Sequence, residues 1–295
     1  MLYLSILTLS FKYLYKMIKN IIFIFTILIS LFCFSQKYNF TYQYTFKPDS
    51  LHLEKTETEL MGLFIDKNRS TYFSLAKVKR DSAIAQNMNS DEMSSNTPVS
   101  LSTFPQEKVR GIIQKDWRSN EVISYLSVNT DRFKIIQNIT FNWHIETETA
   151  MIQGKKCQLA TVEYKGRKYN AWFTNEIPIS EGPYKFGGLP GLIVKIEDIK
   201  KQHIWELKAI EKFRHIKLNL SAYIPVTESQ YKKAVEDYIR DPMNKMRELK
   251  RRYGITSFTS TSPDGSSYSD VEYEKMKTRK IQESFNENNN SIELH

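Results

Sequence analysis

Cysteine is scarce in this sequence, which excludes a scaffold stapled by disulfides. The 295 residues include two cysteines, Cys33 and Cys157, and Cys33 lies in an apolar N-terminal run that is typical of a removable leader. Removal of that leader would leave Cys157 alone, so the fold must depend on its hydrophobic core, which a chain of this length can form. A lone cysteine can be a catalytic nucleophile, but the alternation around Cys157 favours a buried thiol in a strand.

Histidine is also scarce, and the catalytic and metal-binding motifs that use it are absent. None of the five histidines lies within four residues of another. The sequence has no HExxH, no GxSxG and no paired-cysteine zinc spacing, so we predict no metal, no cofactor and no enzymatic activity. One alternative stays open: His144 and Glu146 share a face of a predicted strand, and with Cys157 they could form a hydrolase site assembled in space.

Long hydrophobic runs are confined to the N-terminus. A short basic segment that begins at Met17 is followed by the apolar run Ile21–Phe32 and a cleavage site before Gln36, which predicts that residues 1–35 are a signal peptide. Translation could start at Met1 or at Met17. An uncleaved anchor is the alternative, but the run is shorter than the ~20 residues that a spanning helix needs. A lipoprotein attached at Cys33 is disfavoured because the large Phe32 precedes it. We therefore expect an exported protein of the periplasm, the outer-membrane periphery or the medium, with no stable transmembrane segment after processing.

Acidic residues are absent from the first 35 positions. Their three lysines account for part of the net charge of +9 and leave +6 for the remainder. A net positive charge of this size would favour binding to an anionic surface or an acidic ligand, and it is also compatible with ordinary solubility. No nucleic-acid recognition motif is present, so we expect no nucleic-acid partner.

Alternating aromatic residues, in contrast, are abundant. Tyr38, Phe40, Tyr42, Tyr44 and Phe46 occupy every second position, which predicts a strand with one face on a core. Similar patterns recur and indicate about nine to eleven antiparallel strands, a number that tends to curl. We predict a mainly β (β-rich α+β) domain over residues 36–255, with a large curved antiparallel sheet or half-barrel and one C-terminal helical segment.

The helical segment and the two polar stretches have their own signals. Thr227 and Gln230 form a capping box that starts a helix, and Pro242 should split it. The stripe that continues through Met246 favours packing on the sheet over contact with a membrane surface. Residues 87–105 form a long polar loop, which could be disordered or could bind a partner. Residues 256–295 are rich in Ser, Thr, Asn, Glu and Lys and are expected to be a disordered tail with, at most, a short helix over Val271–Phe285.

Glycine is sparse except at one place. Three of the ten glycines, Gly187, Gly188 and Gly191, lie close together and lead directly into the strand-forming run that begins at Leu192. The pair Pro190-Gly191 is typical of a type II turn. A phosphate-binding loop is disfavoured, because a strand and not a helix follows and no Gly-Lys-Ser/Thr ends the loop.

This stretch carries a family resemblance. The hexad Gly188–Ile193 and the ordered residues before it resemble the GLPGLI family of Bacteroidetes envelope proteins, over residues 143–198 and more loosely over 38–253. The matching residues are Gly154, Cys157, Gly166, Arg167, Tyr169, Ala171, Trp172, Phe173, Thr174, Ile177, Pro178, Gly182, Pro183, Tyr184, Lys185 and Phe186. The resemblance implies an exported, β-rich protein and supplies no catalytic residue.

Two cations of this region lie next to aromatic residues, which is a common way to bind an anion or a peptide. We predict a ligand site at Arg167, Tyr169, Trp172, Tyr184, Lys185 and Phe186, beside a motif turn made of Gly187, Gly188, Leu189, Pro190 and Gly191. A cation whose stem covers apolar surface at a turn is the structural alternative. The predicted function is a non-catalytic binding or carrier module for an apolar or peptide-like ligand. The alternatives are an accessory subunit that binds an outer-membrane protein partner and the hydrolase described above.

Overall fold

The computed structural model describes residues 17–19, 38–66, 68–89, 106–212, 218–256, 260–261 and 267–293. The strands are β1 Tyr38–Phe46, β2 Glu57–Asp66, β3 Arg69–Ser74, β4 Ile112–Asp116, β5 Glu121–Val128, β6 Asp131–Gln137, β7 His144–Ile152, β8 Lys155–Tyr164, β9 Arg167–Thr174, β10 Leu192–Asp198, β11 His203–Lys212, β12 Ile224–Pro225, β13 Ser260–Thr261 and β14 Ser267–Tyr268. The helices are α1 Leu75–Asn89, α2 Glu228–Arg240, α3 Asn244–Tyr253 and α4 Asp270–Asn286.

Twelve of the strands form one open sheet in the order β12-β6-β5-β4-β3-β2-β1-β11-β10-β9-β8-β7. Neighbouring strands are antiparallel except for the short β12, which is parallel to β6. One half of the sheet contains β1 to β6 with β12, and the other half contains β7 to β11. The pairing of β1 with β11 joins these two halves. The predicted mainly β fold with a large antiparallel sheet is confirmed, as is the helical segment that follows it.

Strand β1 lies at the centre of the sheet, and its aromatic residues form the middle of the core. Phe40 and Tyr42 are fully buried, and Tyr44 stacks on Trp205 of β11 with ring centroids 4.5 Å apart. The indole Nε1 of Trp205 donates a hydrogen bond of 2.9 Å to the Tyr72 hydroxyl on β3, although β1 and β2 lie between those strands. Side chains three strands apart can meet in this way because the sheet curves around its core.

The connection between β9 and β10, residues 175–191, is called the motif loop below; it packs against the core face of the sheet. Phe186 and Leu189 are buried, and the Tyr42 hydroxyl donates to the carbonyl of Ile193, just beyond the loop, at 2.7 Å. The predicted type II turn at Pro190-Gly191 is wrong, because Gly191 does not have the positive φ that this turn requires at its third position. Glycine is needed there for space: a Cβ on Gly191 would lie 2.1 Å from the carbonyl oxygen of Thr174.

The helices follow the capping and proline signals. Thr227 caps α2 in a capping box with Gln230, and the break before α3 contains Pro242. Helix α4 also begins with a capping box, formed by Ser269 and Glu272.

Helix α4 coincides with the short helix expected over Val271–Phe285, whereas the contacts of residues 287–293 differ from the disorder expected of a polar tail. Helix α4 is fixed to α3 by ion pairs of Lys250 with Asp270 (2.6 Å) and of Arg247 with Glu274 (2.9 Å). After α4 the chain returns to the sheet, where the Asn290 amide donates to the carbonyl of Pro48 at 3.0 Å. Composition alone did not reveal these contacts because they depend on partners that are distant in sequence.

Two predicted segments lie outside the described residues. They are the signal peptide at 1–35, apart from residues 17–19, and most of the polar loop at 87–105. Among the helices that the structure describes, none combines the length and the apolar character needed to cross a bilayer.

Candidate ligand-binding site

A cavity of about 1050 Å³ lies between the sheet and the motif loop. Strands β1, β2, β5 and β11 supply apolar side chains, and the β6–β7 connection and the motif loop complete the wall. The apolar lining residues are Tyr38, Phe40, Ile65, Trp117, Val122, Ile139, Phe141, Ile177, Pro178, Ile179 and Ile210. Ligand pockets generally have this character, with mostly apolar walls and a few polar groups that converge on the ligand.

The polar groups of the cavity are organised around a buried ion pair. Lys115 of β4 and Glu181 of the motif loop are in direct contact, and their side chains are only 9% and 4% exposed. The Lys115 ammonium also donates to the carbonyls of Gly182 (3.0 Å) and Phe186 (2.6 Å), and the Trp117 indole donates to Glu181 at 2.5 Å. Because both charges are paired and hydrogen-bonded, they can remain ionised next to an apolar cavity.

The glycines of the motif loop form part of the cavity wall. Gly187 accepts a hydrogen bond from the indole of Trp143 at 2.8 Å, and the amide of Gly188 donates to the carbonyl of Ser180 at 3.1 Å. Gly188 has a φ of +89°, a conformation that other residues adopt only at a cost. The predicted motif turn therefore lines the cavity at Gly187 and Gly188, while Leu189 is buried beneath it and Pro190 is exposed.

Four of the six predicted ligand-site residues lie around one groove beside the cavity. Arg167 and Lys185 are each 5% exposed, Tyr169 is fully buried and Tyr184 is half-buried. Lys185 is shared by the groove and the cavity, because its side chain also lines the cavity.

The other two predicted residues have different positions. Phe186 is fully buried at the centre of an aromatic cluster, 4.8 Å from the ring of Tyr169 and 5.4 Å from that of Phe141. Trp172 is half-buried, and the alternation along β9 directs it to the face opposite Arg167 and Tyr169. Phe186 thus supports the site from within the core, and Trp172 is not part of the groove.

The groove is occupied by residues 289–293, called the docked segment below. The guanidinium of Arg167 donates to the carbonyl of Ser291 through Nε (3.0 Å) and Nη2 (2.7 Å), and to the Asn290 side chain at 2.6 Å. The Tyr169 hydroxyl donates to the carbonyl of Ile292 at 3.1 Å. These contacts hold the main chain of the docked segment.

Three donors meet at one carboxylate oxygen of Glu293. Lys185 donates to Oε1 at 2.6 Å, and the hydroxyls of Tyr184 and Tyr164 donate to it at 2.8 Å and 2.9 Å. Burial alone would raise the pKa of Glu293, but the charge of Lys185 and these three hydrogen bonds outweigh burial and lower it. Burial and the nearby Glu293 charge raise the pKa of both tyrosines, so they remain hydroxyl donors at neutral pH.

Arg167 and Lys185 are also held by residues outside the docked segment. Arg167 Nη1 contacts Asp198 at 3.4 Å and Gln202 at 2.9 Å, and Lys185 donates to Gln137 at 3.0 Å. The buried Asp198 is in turn fixed by the amide of His203 at 2.7 Å. The groove is therefore positioned by the sheet itself.

The hydrolase site that the sequence analysis left open, made of His144, Glu146 and Cys157, is not assembled in the structure. The register of β7 and β8 places His144 opposite Thr161 and Cys157 opposite Ala150, so the two side chains lie at different ends of the hairpin. His144 and Glu146 approach to 3.7 Å, but the imidazole is 78% exposed. Burial raises the pKa of the Cys157 thiol, which disfavours the nucleophilic thiolate. Within the described part of the chain, no group of three His, Cys, Asp or Glu side chains could hold a metal ion.

Sequence reasoning missed several residues of the site. Lys115 and Glu181 lie 66 positions apart, and neither stands in a recognisable motif. Glu293 lies in a segment whose composition indicated disorder. Of these four residues, Tyr164 was the easiest to predict from the sequence, because the alternation along β8 directs its side chain to the same buried face as Val162.

The comparisons with known proteins find a partial match to a family of unknown function. A family model described as "Protein of unknown function (Porph_ging)" matches residues 116–195, which include β5 to β9 and the motif loop. No curated protein matches the sequence. Two crystal forms of PNGF-II are similar in structure, with TM-scores of 0.49 and identities of 16% and 17% over 68% of this chain. The chain spans about a third of the length of PNGF-II, 33% in both comparisons.

Proposed function

We propose that this protein is a non-catalytic binding or carrier module of the cell envelope, and that its cavity holds an apolar or peptide-like ligand. The observation that supports this function is the cavity of about 1050 Å³ between the sheet and the motif loop. Its volume lies just above the roughly 300–1,000 Å³ that is typical of small-molecule sites. Burial of apolar ligand surface against such walls provides the main driving force for binding.

The arrangement of charge indicates how a ligand would be oriented. Lys115 is neutralised by Glu181, so this pair offers no net charge to a ligand. Lys185 and Lys155 also line the cavity. Lys185 is itself paired with Glu293, and Glu121 and Glu176 line the cavity as well, so the charge of the lining does not favour an anionic end. A ligand would place a polar end near this mixed set of charges and its apolar part against the side chains of β1 and β11.

Native mass spectrometry of residues 36–295, purified gently from the envelope of the host, tests this function. We expect a retained ligand mass that disappears in Ile139→Trp, which adds bulk to the cavity wall. Ile145→Trp is the matched control, because Ile145 is 46% exposed on β7 and does not line the cavity. Folded wild-type protein that retains no ligand and binds no fluorescent fatty-acid probe would contradict the proposal.

We also propose that the protein is exported after cleavage before Gln36, as its N-terminal sequence predicts. The supporting features are the short basic segment and the apolar run that precede this position. The intact mass of the envelope protein tests the proposal, since cleavage predicts a chain that begins at Gln36. A mass that retains the apolar run would instead support a membrane anchor. The role of accessory subunit remains a prediction from the sequence, because the polar loop that suggested it lies mostly outside the described residues.

A further inference from the structure

We propose that the groove at Arg167 and Lys185 is a recognition site for an extended acidic peptide of a partner protein, and that the docked segment occupies it as an internal competitor. The ligand class follows from the contacts of the docked segment, in which an apolar residue, Ile292, is followed by the carboxylate of Glu293. This inference goes beyond the proposed function of the cavity. The two sites share Lys185, but the loss of an apolar ligand from the cavity would leave a peptide groove in place.

Main-chain recognition is the first argument. Arg167 and Tyr169 donate to the carbonyls of Ser291 and Ile292, groups that every peptide possesses. Donors that bind main-chain carbonyls give affinity to an extended chain without regard to its side chains. The same donors can therefore bind the carbonyls of an extended peptide from another protein once residues 289–293 have left the groove.

The carboxylate pocket is the second argument, and it supplies specificity. The ammonium of Lys185 and two tyrosine hydroxyls converge on one oxygen of Glu293 within 2.9 Å. Hydrogen bonds from a charged donor to a carboxylate are among the strongest in proteins. A peptide with a neutral side chain at this position would leave the buried Lys185 ammonium without that partner, which is costly.

The independence of the groove from its occupant is the third argument. Asp198 and Gln202 contact Arg167, and Gln137 contacts Lys185, and none of these three partners belongs to the docked segment. Donors that are positioned in advance lose little entropy when a ligand binds. Partners of this kind would keep both cations in position when one peptide leaves the groove and another enters.

A peptide titration tests the proposal with the full mature chain. The probe is a fluorescein-labelled, C-terminally amidated peptide Asn-Asn-Asn-Ser-Ile-Glu, which copies residues 288–293. The receptor carries Ile292→Ser and Glu293→Gln, so that its own segment competes weakly. We expect this receptor to bind the probe at least about tenfold more tightly than the unaltered protein, because a tethered competitor acts at an effective concentration on the order of millimolar.

Two variants define the specificity of that binding. Lys185→Met in the same receptor should weaken it at least about tenfold, since the carboxylate loses a charged donor. Lys168→Met is the matched control and should leave it unchanged, because Lys168 is exposed on the opposite face of β9. The proposal is overturned if the probe binds the receptor no better than it binds the unaltered protein, or if a probe with Gln in place of Glu binds equally well.

If the receptor does not fold, hydrogen exchange on the unaltered protein tests whether residues 289–293 can leave the groove independently of the sheet. An internal competitor must open without unfolding the sheet, so the amides of residues 289–293 should exchange while those of β9 and β10 stay protected. Exchange of 289–293 only together with β9 and β10 would show that the segment is an integral part of the core, and the proposal would be wrong.

Discussion

Lys115 of β4 forms a buried ion pair with Glu181 of the motif loop and thereby joins the two halves of the sheet. Lys115→Met should lower the free energy of unfolding by about 3–5 kcal/mol, because it leaves the Glu181 carboxylate buried without its cation. Urea unfolding measures the change. The exposed pair of Lys208 and Glu206, at 2.9 Å, is the control, and Lys208→Met should cost less than about 1 kcal/mol.

A double variant separates the burial of a charge from the loss of packing. Lys115→Met combined with Glu181→Met should recover the part of the stability that is lost to the unpaired charge. It should not recover all of it, because the carbonyls of Gly182 and Phe186 and the Trp117 indole lose their partners. A double variant as unstable as the single variant would show that the ion pair is not what makes Lys115 important.

Gly191 is required by the space beside β9, and Gly191→Ala tests this directly. The added Cβ would lie 2.1 Å from the carbonyl oxygen of Thr174, a backbone atom that cannot move without shifting the strand. We expect a loss of about 3 kcal/mol or more in the free energy of unfolding. Gly154→Ala is the control: Gly154 has a φ of +74° but open space around it, so the cost should be limited to about 1 kcal/mol of backbone strain. Equal losses in the two variants would contradict the steric argument.

The docked segment should respond to acid. The pKa of Glu293 is lowered from its usual 4.5 in the folded protein, so its carboxylate stabilises docking above pH 4.5, and that contribution is lost as the pH falls further through the folded value. Hydrogen exchange of residues 289–293 should therefore accelerate below pH 4.5, after correction for the intrinsic pH dependence of exchange. In Glu293→Gln the corrected exchange should be faster at neutral pH and should lack this acid step. A step that persists in the variant would belong to another group.

Local patterns in the sequence predicted the elements of this fold well. The alternation from Tyr38 to Phe46 became β1 with its aromatic face in the core. Lys165 and Gly166 form the tight β8–β9 connection, and both have positive φ, as the hairpin signal implies. The capping box at Thr227 marks the start of α2. Each of these features depends on interactions between residues close together in the chain.

The parts that the sequence did not predict depend on contacts between distant residues. The pairing of β1 with β11 and the meeting of Lys115 with Glu181 have no local signal, because both follow from how the sheet curves. Composition indicated disorder for the chain around Glu293, since few apolar residues are present there. Its order comes from the donors at Arg167 and Lys185. The sequence analysis predicts a ligand site at these two residues, but it does not predict that residues 289–293 contact them.

His203 should make stability depend on pH in a different range. The imidazole is 1% exposed and its Nδ1 lies 2.7 Å from the Tyr44 hydroxyl. Burial lowers its pKa from 6.5 to about 4, and the charge of Arg167 adds to this effect against the opposing charge of Asp198. In the unfolded chain His203 binds a proton below pH 6.5, whereas in the folded protein it remains neutral until about pH 4. The contribution of His203 to the free energy of unfolding is therefore fully present above pH 6.5. It is lost as the pH falls towards 4, which lowers the free energy of unfolding by up to roughly 3 kcal/mol.

His203→Gln removes the titrating group and keeps a polar side chain that can accept from Tyr44. We expect urea unfolding of the variant to show a flatter dependence on pH between 6.5 and 4 than the unaltered protein, even if the variant is less stable at pH 7. An equal slope in His203→Gln and the unaltered protein would assign the pH dependence to other groups and would contradict a neutral, buried His203.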